Sequence, residues 1–316
     1  PHRCIIRPGE AGICGVRRNS GGELQLVTEG IISGYATDPI EKKPLYHFFP
    51  GSSILSVGSY GCNLRCDFCQ NYHISQNVTT GGSRKLDPAE LVRQADAVTG
   101  NIGIAYTYNE PVIWYEYVVK CARIAAGRGL RNVMVTNGFV NREPLNELTE
   151  VIDAFNIDLK AFDNDFYRRY TGSSLQPVLE AIRSVAASGR HLEVTTLILP
   201  GLNDSADEMK REAEWIAENA GRKVPLHLSR YFPVYRRSTP ATPPDTILKL
   251  REIAAEYLDY VYTGNMGGDN GGSDTVCPSC HSTVITRSGY ATRITGLTDG
   301  GKCLRCGWQV IAGEFI

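Results

Sequence analysis

The 316-residue sequence predicts an α/β protein: a partial or full (β/α) barrel with an N-terminal extension and a small C-terminal Cys4 metal-binding unit. Three observations predict it. Between residues 51 and 265, short apolar runs alternate with amphipathic stretches of ten or more residues. That is the pattern of right-handed βαβ units on a parallel sheet. Polar motifs stand at the C-terminal ends of those runs, where such sheets carry their chemistry. The cysteines fall in compact groups: C-x3-C-x2-C at 62–69 and C-x2-C pairs at 277–280 and 303–306.

The elements follow in order. Residues 53–59 form an apolar run leading into the first cysteine loop. Leu86-Asp87-Pro88 opens a helix through about 98, with Asp87 as N-cap and proline at the first helical position. Strand 102–107 precedes helix 111–126, which Gly127 and Gly129 stop. Strand 132–136, helix 143–152 and strand 154–159 continue the alternation. Helix 175–188, strand 191–199, helix 205–219, strand 224–231, helix 244–257 and strand 260–263 complete it. Residues 265–274, glycine-rich and polar, read as a linker or active-site loop. Residues 1–50 are a mixed N-terminal extension, 51–265 the barrel, and 275–316 a small unit of its own.

Composition narrows the class. Thirty-three Lys and Arg stand against 34 Asp and Glu, so bulk charge does not argue for nucleic-acid or membrane binding. No apolar run is long enough for a membrane span. Ten cysteines in a chain of this size, with short spacings, read as metal ligands in a reduced, cytoplasmic enzyme rather than as a disulfide scaffold. Cys121 stands alone on an apolar helical face and reads as a core thiol.

Three thiolates on one tight loop, Cys62, Cys66 and Cys69, can hold three irons of a [4Fe–4S] cubane. A cluster that only transfers electrons takes four cysteines; three leave one iron open to a ligand. Three buried core cysteines, or part of a zinc site, are the alternatives. The spacing fits zinc poorly, because zinc sites pair C-x2-C with a distant partner pair. The pairs Cys277/Cys280 and Cys303/Cys306 do have that form. They predict one tetrahedral Cys4 site for zinc or a mononuclear iron, holding a tail too small to fold unaided.

Four further motifs sit at strand ends. Asn109-Glu110-Pro111 places a carboxylate at the barrel mouth, as a site acceptor or as a helix N-terminal charge. Thr136-Asn137-Gly138 offers hydroxyl and amide groups, or is a simple turn. Asn156, Asp158 and Lys160 alternate onto one side of their strand, costly unless they line a site or pair as ions. His227 shares a strand side with Ser229 and Tyr231, which favours a polar lumen.

These motifs together resemble the radical S-adenosylmethionine (SAM) superfamily. The resemblance implies that the open iron chelates the amino acid end of SAM. An external electron donor would reduce the cluster, and SAM would yield a 5′-deoxyadenosyl radical that takes hydrogen from a substrate. Asn109-Glu110-Pro111 stands where the superfamily often has Gly-Gly-Glu-Pro, a SAM ammonium site. Asn156–Lys160 is similar to the Asp-x-Lys segment of pyruvate formate-lyase activating enzymes, and the Leu199–Asp204 strand end is where such families contact SAM. The implied cofactor-binding set is Tyr60, Asn109, Glu110, Thr136, Asn137, Lys160 and Thr196. The implied catalytic set is Lys160, Asp158 and His227.

The stretch Asp38–Gly51 (Asp-Pro-Ile-Glu-Lys-Lys-Pro-Leu-Tyr-His-Phe-Phe-Pro-Gly), running into Gly61-Cys62-Asn63 and Cys69-Gln70-Asn71, resembles the radical SAM member of the AmmeMemoRadiSam system. That implies Memo-like or AMMECR1-like protein partners. The family usually carries a C-x2-C pair just before Pro-His-x-Cys. The pair is absent here, and Cys4 and Cys14 read as half of such a site. The expected activity is modification of a small molecule or nucleobase. Activation of a glycyl radical enzyme is the alternative, and a nucleic-acid or protein binding module built on the Cys4 tail is a third reading.

Overall fold

The computed structural model describes residues 1–78, 83–267 and 272–316. Four residues of the 265–274 loop, 268–271, lie outside the described residues. The centre is an eight-stranded sheet whose neighbours follow chain order. Its strands are β1 (Gly34–Pro39), β2 (Ser53–Gly58), β3 (Asn101–Tyr106), β4 (Arg131–Thr136), β5 (Ala154–Asp158), β6 (His191–Ile198), β7 (Leu226–Arg230) and β8 (Val261–Gly264). β1 pairs antiparallel with β2; every later pair is parallel.

Helices α1 (Pro88–Asp96), α2 (Tyr115–Ala126), α3 (Arg142–Val151), α4 (Gln176–Ala187), α5 (Ala206–Asn219) and α6 (Pro244–Ala255) make the six crossovers. Their starts obey the expected chemistry. Asp87 caps α1 by accepting from Ala89 N at 2.9 Å, and Ser205 caps α5 by accepting from Glu208 N at 3.1 Å. The segment predicted as one helix from 111 opens instead as a 3₁₀ turn, Pro111–Trp114, before α2. Glu110 caps that turn through Val112 N, and the tighter winding suits a capped start.

The N-terminal stretch joins the main sheet. β1 is an edge strand of the main sheet, and residues beyond it plug the barrel floor. Ile40, Leu45 and Phe48 are fully buried with Ile54, Ala105, Val133 and Ala154 in one apolar cluster. Each large apolar chain buried there contributes about 1.5–3 kcal/mol. Upstream, Arg17–Ser20 and Glu23–Leu26 form a hairpin. Cys4 is exposed and Cys14 buried.

The C-terminal residues form a three-stranded antiparallel sheet: Thr275–Val276, β9 (Thr283–Ser288) and β10 (Ala291–Ile294). Its core joins Cys277, Val284, Ile285, Cys303, Val310 and Ile311 to Tyr46, Tyr260 and Tyr262 of the barrel. Arg287 ties the hairpin down. Its guanidinium is fully buried and donates to Tyr46 O at 2.8 Å, Ser273 O at 2.9 Å and Thr275 Oγ1 at 2.8 Å. Thr292 donates to Glu41 Oε1 at 2.7 Å. The hairpin is thus clamped to residues 41–46 and, through Ser273 and Thr275, to the chain that follows β8.

Candidate active site

A cavity of about 950 Å³ opens at the C-terminal strand ends and reaches toward the floor. It is at the upper end of ligand-site volumes, with room for more than one small molecule. Cys62, Cys66 and Cys69 line it together with Asn109, Glu110, Thr136, Asn137, Asp158, Lys160 and His227. Strand register explains part of that convergence. Asp158, Thr195 and His227 are successive cross-strand partners, so their side chains stand in one inward row.

The cysteine loop is set by polar ties. Asn109 Oδ1 accepts from Ser59 N at 2.9 Å, and its Nδ2 donates to Gly61 O at 3.0 Å. Asn71 Nδ2 donates to Tyr108 O at 2.7 Å. Cys62 Sγ accepts from Leu64 N at 3.3 Å and faces Asn137 Nδ2 at 3.7 Å. Ser75 Oγ lies 3.1 Å from Cys69 Sγ. Burial pushes the Cys62 thiol well up and the Cys66 thiol up to about 12. A bound metal cation supplies the charge that lets buried thiols ionise. Three thiols lining one cavity, with amide donors aimed at the Cys62 sulfur, fit the donor set of a three-cysteine iron–sulfur cluster, whose sulfurs take such hydrogen bonds.

Glu110 is buried and bridges two strand ends. Its Oε1 accepts from Val112 N at 2.9 Å and Thr136 Oγ1 at 2.7 Å; Oε2 accepts from Asn137 N at 2.8 Å. Burial pushes its carboxyl up to about 7 against those three donors, and Asp158 adds to the rise. The helix-cap role and the cavity role coincide in this one side chain. Asn137 also donates to Asn63 Oδ1 at 2.9 Å.

Lys160 Nζ lies 2.7 Å from Asp158 Oδ2. Burial opposes the lysine's charge, but Asp158 and the cysteine thiols outweigh it and hold the ammonium charged. Asn203 staples the strand ends behind it, donating to Lys160 O at 2.8 Å and Leu197 O at 2.9 Å. His227 lines the cavity while its Nε2 meets Glu193 Oε2 at 2.6 Å. Ser229 lines the cavity beside it. Tyr231, past the strand end, donates instead to Arg237 O at 2.9 Å.

Two residues of the expected cofactor-binding set, Thr196 and Tyr60, are not among the cavity-lining residues. Thr196 is buried on the helix side of β6, donating its hydroxyl to Glu212 of α5. Its neighbours Thr195 and Leu197 take the cavity side, as the two-residue strand period requires. The Tyr60 hydroxyl lies 2.8 Å from Ser83 Oγ. The preceding strand's alternation ends at Gly58, so the loop redirects that side chain.

Sequence reasoning missed another polar group in the same cavity. Lys43 is 2% exposed; its Nζ donates to Asp38 Oδ2 at 2.7 Å. Lys42 Nζ donates to Asp38 Oδ1 at 2.8 Å, and Tyr108 donates its hydroxyl to Oδ2 at 2.8 Å. Tyr108 has a φ of 69°, strained for a bulky residue. It rests on the paired glycines Gly34 and Gly58. A Cβ at either would come within 2.8–2.9 Å of Tyr108. The available signal was a Glu-Lys-Lys run set between apolar residues, which also fits a solvated turn.

In the C-terminal unit, the Cys277, Cys280, Cys303 and Cys306 thiols lie within 4.8 Å of one another. Cys277 and Cys306 Sγ are 3.5 Å apart, Cys280 and Cys303 3.6 Å. A tetrahedron with metal–sulfur bonds of about 2.3 Å has edges of about 3.8 Å. The two knuckles repeat one geometry. His281 N donates to Cys277 O at 2.9 Å and Gly307 N to Cys303 O at 2.8 Å, with φ of 57° and 77°.

The arrangement, a three-cysteine loop beside Glu110, Asp158 and Lys160 at the strand ends of a mostly parallel α/β sheet, fits the class of iron–sulfur enzymes with a three-cysteine cluster loop. Residues 56–216 match the radical SAM superfamily, and the chain belongs to that superfamily. Its members are enzymes that use a [4Fe–4S] cluster and SAM. The chain is 40% identical over 315 residues to an uncharacterized protein of Methanocaldococcus jannaschii, covering 98% of this chain and 93% of that one. It is 26% identical over 164 residues to the pyruvate formate-lyase 1-activating enzyme of Escherichia coli K12, covering 49% of this chain and 65% of that enzyme. The crystal structure of Streptococcus suis SuiB bound to S-adenosylmethionine shares the fold, with a TM-score of 0.52, 16% identity, and 72% and 53% coverage of the two chains. Among the described residues no helix is long and apolar enough to cross a membrane.

Proposed function

We propose that this chain modifies a small molecule or nucleobase within its own cavity. The observation that carries this reading is the single enclosure shared by Cys62, Cys66, Cys69, Glu110, Asp158, Lys160 and the C-terminal hairpin tip at Ser288–Tyr290. When bound, the cluster and SAM supply one-electron cleavage of the sulfonium and a 5′-deoxyadenosyl radical. The protein's part is to hold, orient and shield. Glu110 Oε2 has one acceptor position beyond Asn137 N and accepts the SAM ammonium, aided by Thr136 and Asn137, which fix its rotamer. Lys160 binds the SAM carboxylate, with Asp158 keeping its ammonium aimed. Asn109 sets the height of the cluster loop. His227, steadied by Glu193, faces the substrate side. The floor plug and the clamped hairpin exclude water from the radical's path.

In this reading residues 51–265 carry the radical chemistry, while 1–50 and 275–316 shape what it acts on. The Cys4 site holds zinc and keeps the hairpin folded. The Asp38–Gly51 stretch supports membership of the AmmeMemoRadiSam group, with Memo-like or AMMECR1-like proteins as partners and a cytoplasmic setting. Similarity to an activating enzyme favours glycyl radical activation as the second reading, but the hairpin narrows the space a protein loop would need. The test is an anaerobic reaction of the reconstituted protein with SAM and a reductant. Formation of 5′-deoxyadenosine and methionine supports the reading; intact SAM over a fully loaded cluster refutes it.

A further inference from the structure

The cluster loop has two sides. Cys62, Leu64, Cys66, Phe68 and Cys69 line the cavity, where SAM and substrate sit in the reading above. Arg65 and Asp67, which flank Cys66 in the chain, are not among the lining residues. They belong to the loop's other side, and Arg65 is exposed. An electron that reaches the cysteines from another protein has to cross this outer side, because the cavity side is taken.

Two further segments are hydrogen-bonded onto that outer side. The first is the π-helical turn Tyr167–Thr171; Arg65 N donates to Thr171 O at 2.7 Å. The second is a tight turn after β7. Val234 and Arg237 exchange backbone hydrogen bonds of 3.2 Å, which leaves Tyr235 and Arg236 at its tip. Arg236 N donates to Asp67 O at 3.0 Å, and Arg237 Nη2 meets Asp67 Oδ2 at 2.7 Å. Arg237 also lies over the Tyr170 ring, 4.9 Å from its centroid, so the two segments meet. Tyr235 has a φ of 57°, unusual for a bulky residue. Its ring is stacked on Tyr72 at 4.5 Å and 14°, which fixes the tip against the chain just beyond Cys69.

The surface so assembled is basic. Asp67 pairs with Arg237 and Asp165 with Arg168, each at 2.7 Å. Arg65, Arg169 and Arg236 are exposed and have no carboxylate partner among the described residues. The whole chain has a net charge of −1, so the excess is local. Unpaired guanidiniums around an aromatic pair match an acidic protein face, whose approach they steer and orient.

We propose that Arg65, Arg169 and Arg236 form the docking surface for an acidic one-electron carrier protein that reduces the cluster. This rests on the radical SAM active-site reading above and locates the partner which that reading requires. The carrier loses one electron, the cluster goes from its 2+ to its 1+ state, and no atom is transferred. Docked there, the carrier approaches Cys66 through Arg65 and Asp67 and leaves the cavity free for SAM. A single-stranded nucleic acid is the other polyanion that a basic, aromatic surface takes. It would not account for a surface bonded to the residues on both sides of a cluster ligand.

The test uses the reconstituted full chain with its cluster oxidised, and a reduced flavodoxin as the acidic carrier. Stopped-flow absorbance of the flavin follows the transfer. Ti(III) citrate, a small reductant that needs no docking face, checks folding and cluster loading. The wild-type rate with flavodoxin should fall steeply as salt rises. Arg169→Glu combined with Arg236→Glu should slow it about tenfold or more at low salt, the scale of electrostatic steering. The Ti(III) citrate rate should not change. Lys302→Glu, an exposed cation of the C-terminal unit, should leave the flavodoxin rate within about twofold. Equal flavodoxin rates in wild type and the double variant overturn the surface alone. So does a wild-type cluster that Ti(III) citrate reduces and flavodoxin does not, or a double variant that loses binding of a single-stranded RNA while flavodoxin transfer is untouched. A reconstituted wild type with no cluster for Ti(III) citrate to reduce overturns the active-site reading and the surface with it.

Discussion

Glu193 Oε2 lies 2.6 Å from His227 Nε2 while Glu193 Oε1 lies 2.8 Å from His191 Nε2, so one buried carboxylate anchors two imidazoles on β6 and β7. The same oxygen that meets His191 accepts the amides of Tyr46 and His47. Glu193 therefore locks the floor segment to the barrel and steadies His227 at the cavity wall.

Burial alone would raise the Glu193 carboxyl, but His191 and His227 reverse that and hold it well below the ordinary carboxylate value of 4.5. A depressed acid stabilises the fold above its unfolded value and loses that contribution as pH falls below it. Glu193→Gln should cost roughly 3–5 kcal/mol near neutral pH, as for breaking a buried charged pair. The wild type should lose stability on acidification below about 4.5, and the variant should lose less. Chemical denaturation across pH checks both; equal acid sensitivity would count against the linkage.

Replacing Cys62, Cys66 and Cys69 with Ala should remove the iron–sulfur absorbance and all SAM cleavage. The metal bound by Cys277, Cys280, Cys303 and Cys306 should remain at one per chain. Metal analysis and product chromatography check this; SAM cleavage by the triple variant would sink the cluster assignment.

Glu110 in the free protein holds its proton up to about 7, because burial outweighs its three hydrogen bonds. A SAM ammonium needs the carboxylate ionised, so SAM binding should release a proton below that pH, and SAM affinity should rise from about pH 6 to 8. Glu110→Gln should weaken SAM binding roughly 10–150-fold at pH 8, the loss of a bond to a charged group, and abolish the proton release. Calorimetry in buffers of different ionisation enthalpy measures both. Proton release that persists in the variant would refute the role.

The four C-terminal thiols should bind one metal with metal–sulfur distances of about 2.3 Å by X-ray absorption. Removing it by chelation from the full chain should loosen the hairpin, raising hydrogen exchange at β9 and β10 and at the Tyr46 and Glu41 contacts. Protection unchanged after complete metal loss would show that the apolar core alone holds this unit.

Much of the architecture was legible because periodicity is local. The strand–helix alternation placed all six crossovers and the seven strands β2–β8 within a few residues, since each amphipathic face is written in its own segment. Asn156, Asp158 and Lys160 fell on one side as their spacing required, and all three line the cavity. β1 was not legible. Gly34–Pro39 carries little apolar alternation because it is an edge strand with exposed positions, and its place depends on pairing with β2. Which of Thr195 and Thr196 faces the cavity was not legible, because a run of two threonines leaves the face undecided until the register is known.

The sequence by itself determined the ligand chemistry: three cysteines on one loop, two C-x2-C knuckles, and polar residues at strand ends. Covalent spacing fixes such groups before any long-range contact forms. Only the tertiary structure decided which residues share the cavity with them. Lys43 is ordinary in its local context. It becomes a buried, ion-paired ammonium at the cavity wall only because the floor segment packs inside the barrel, and burial is a property of the packed whole.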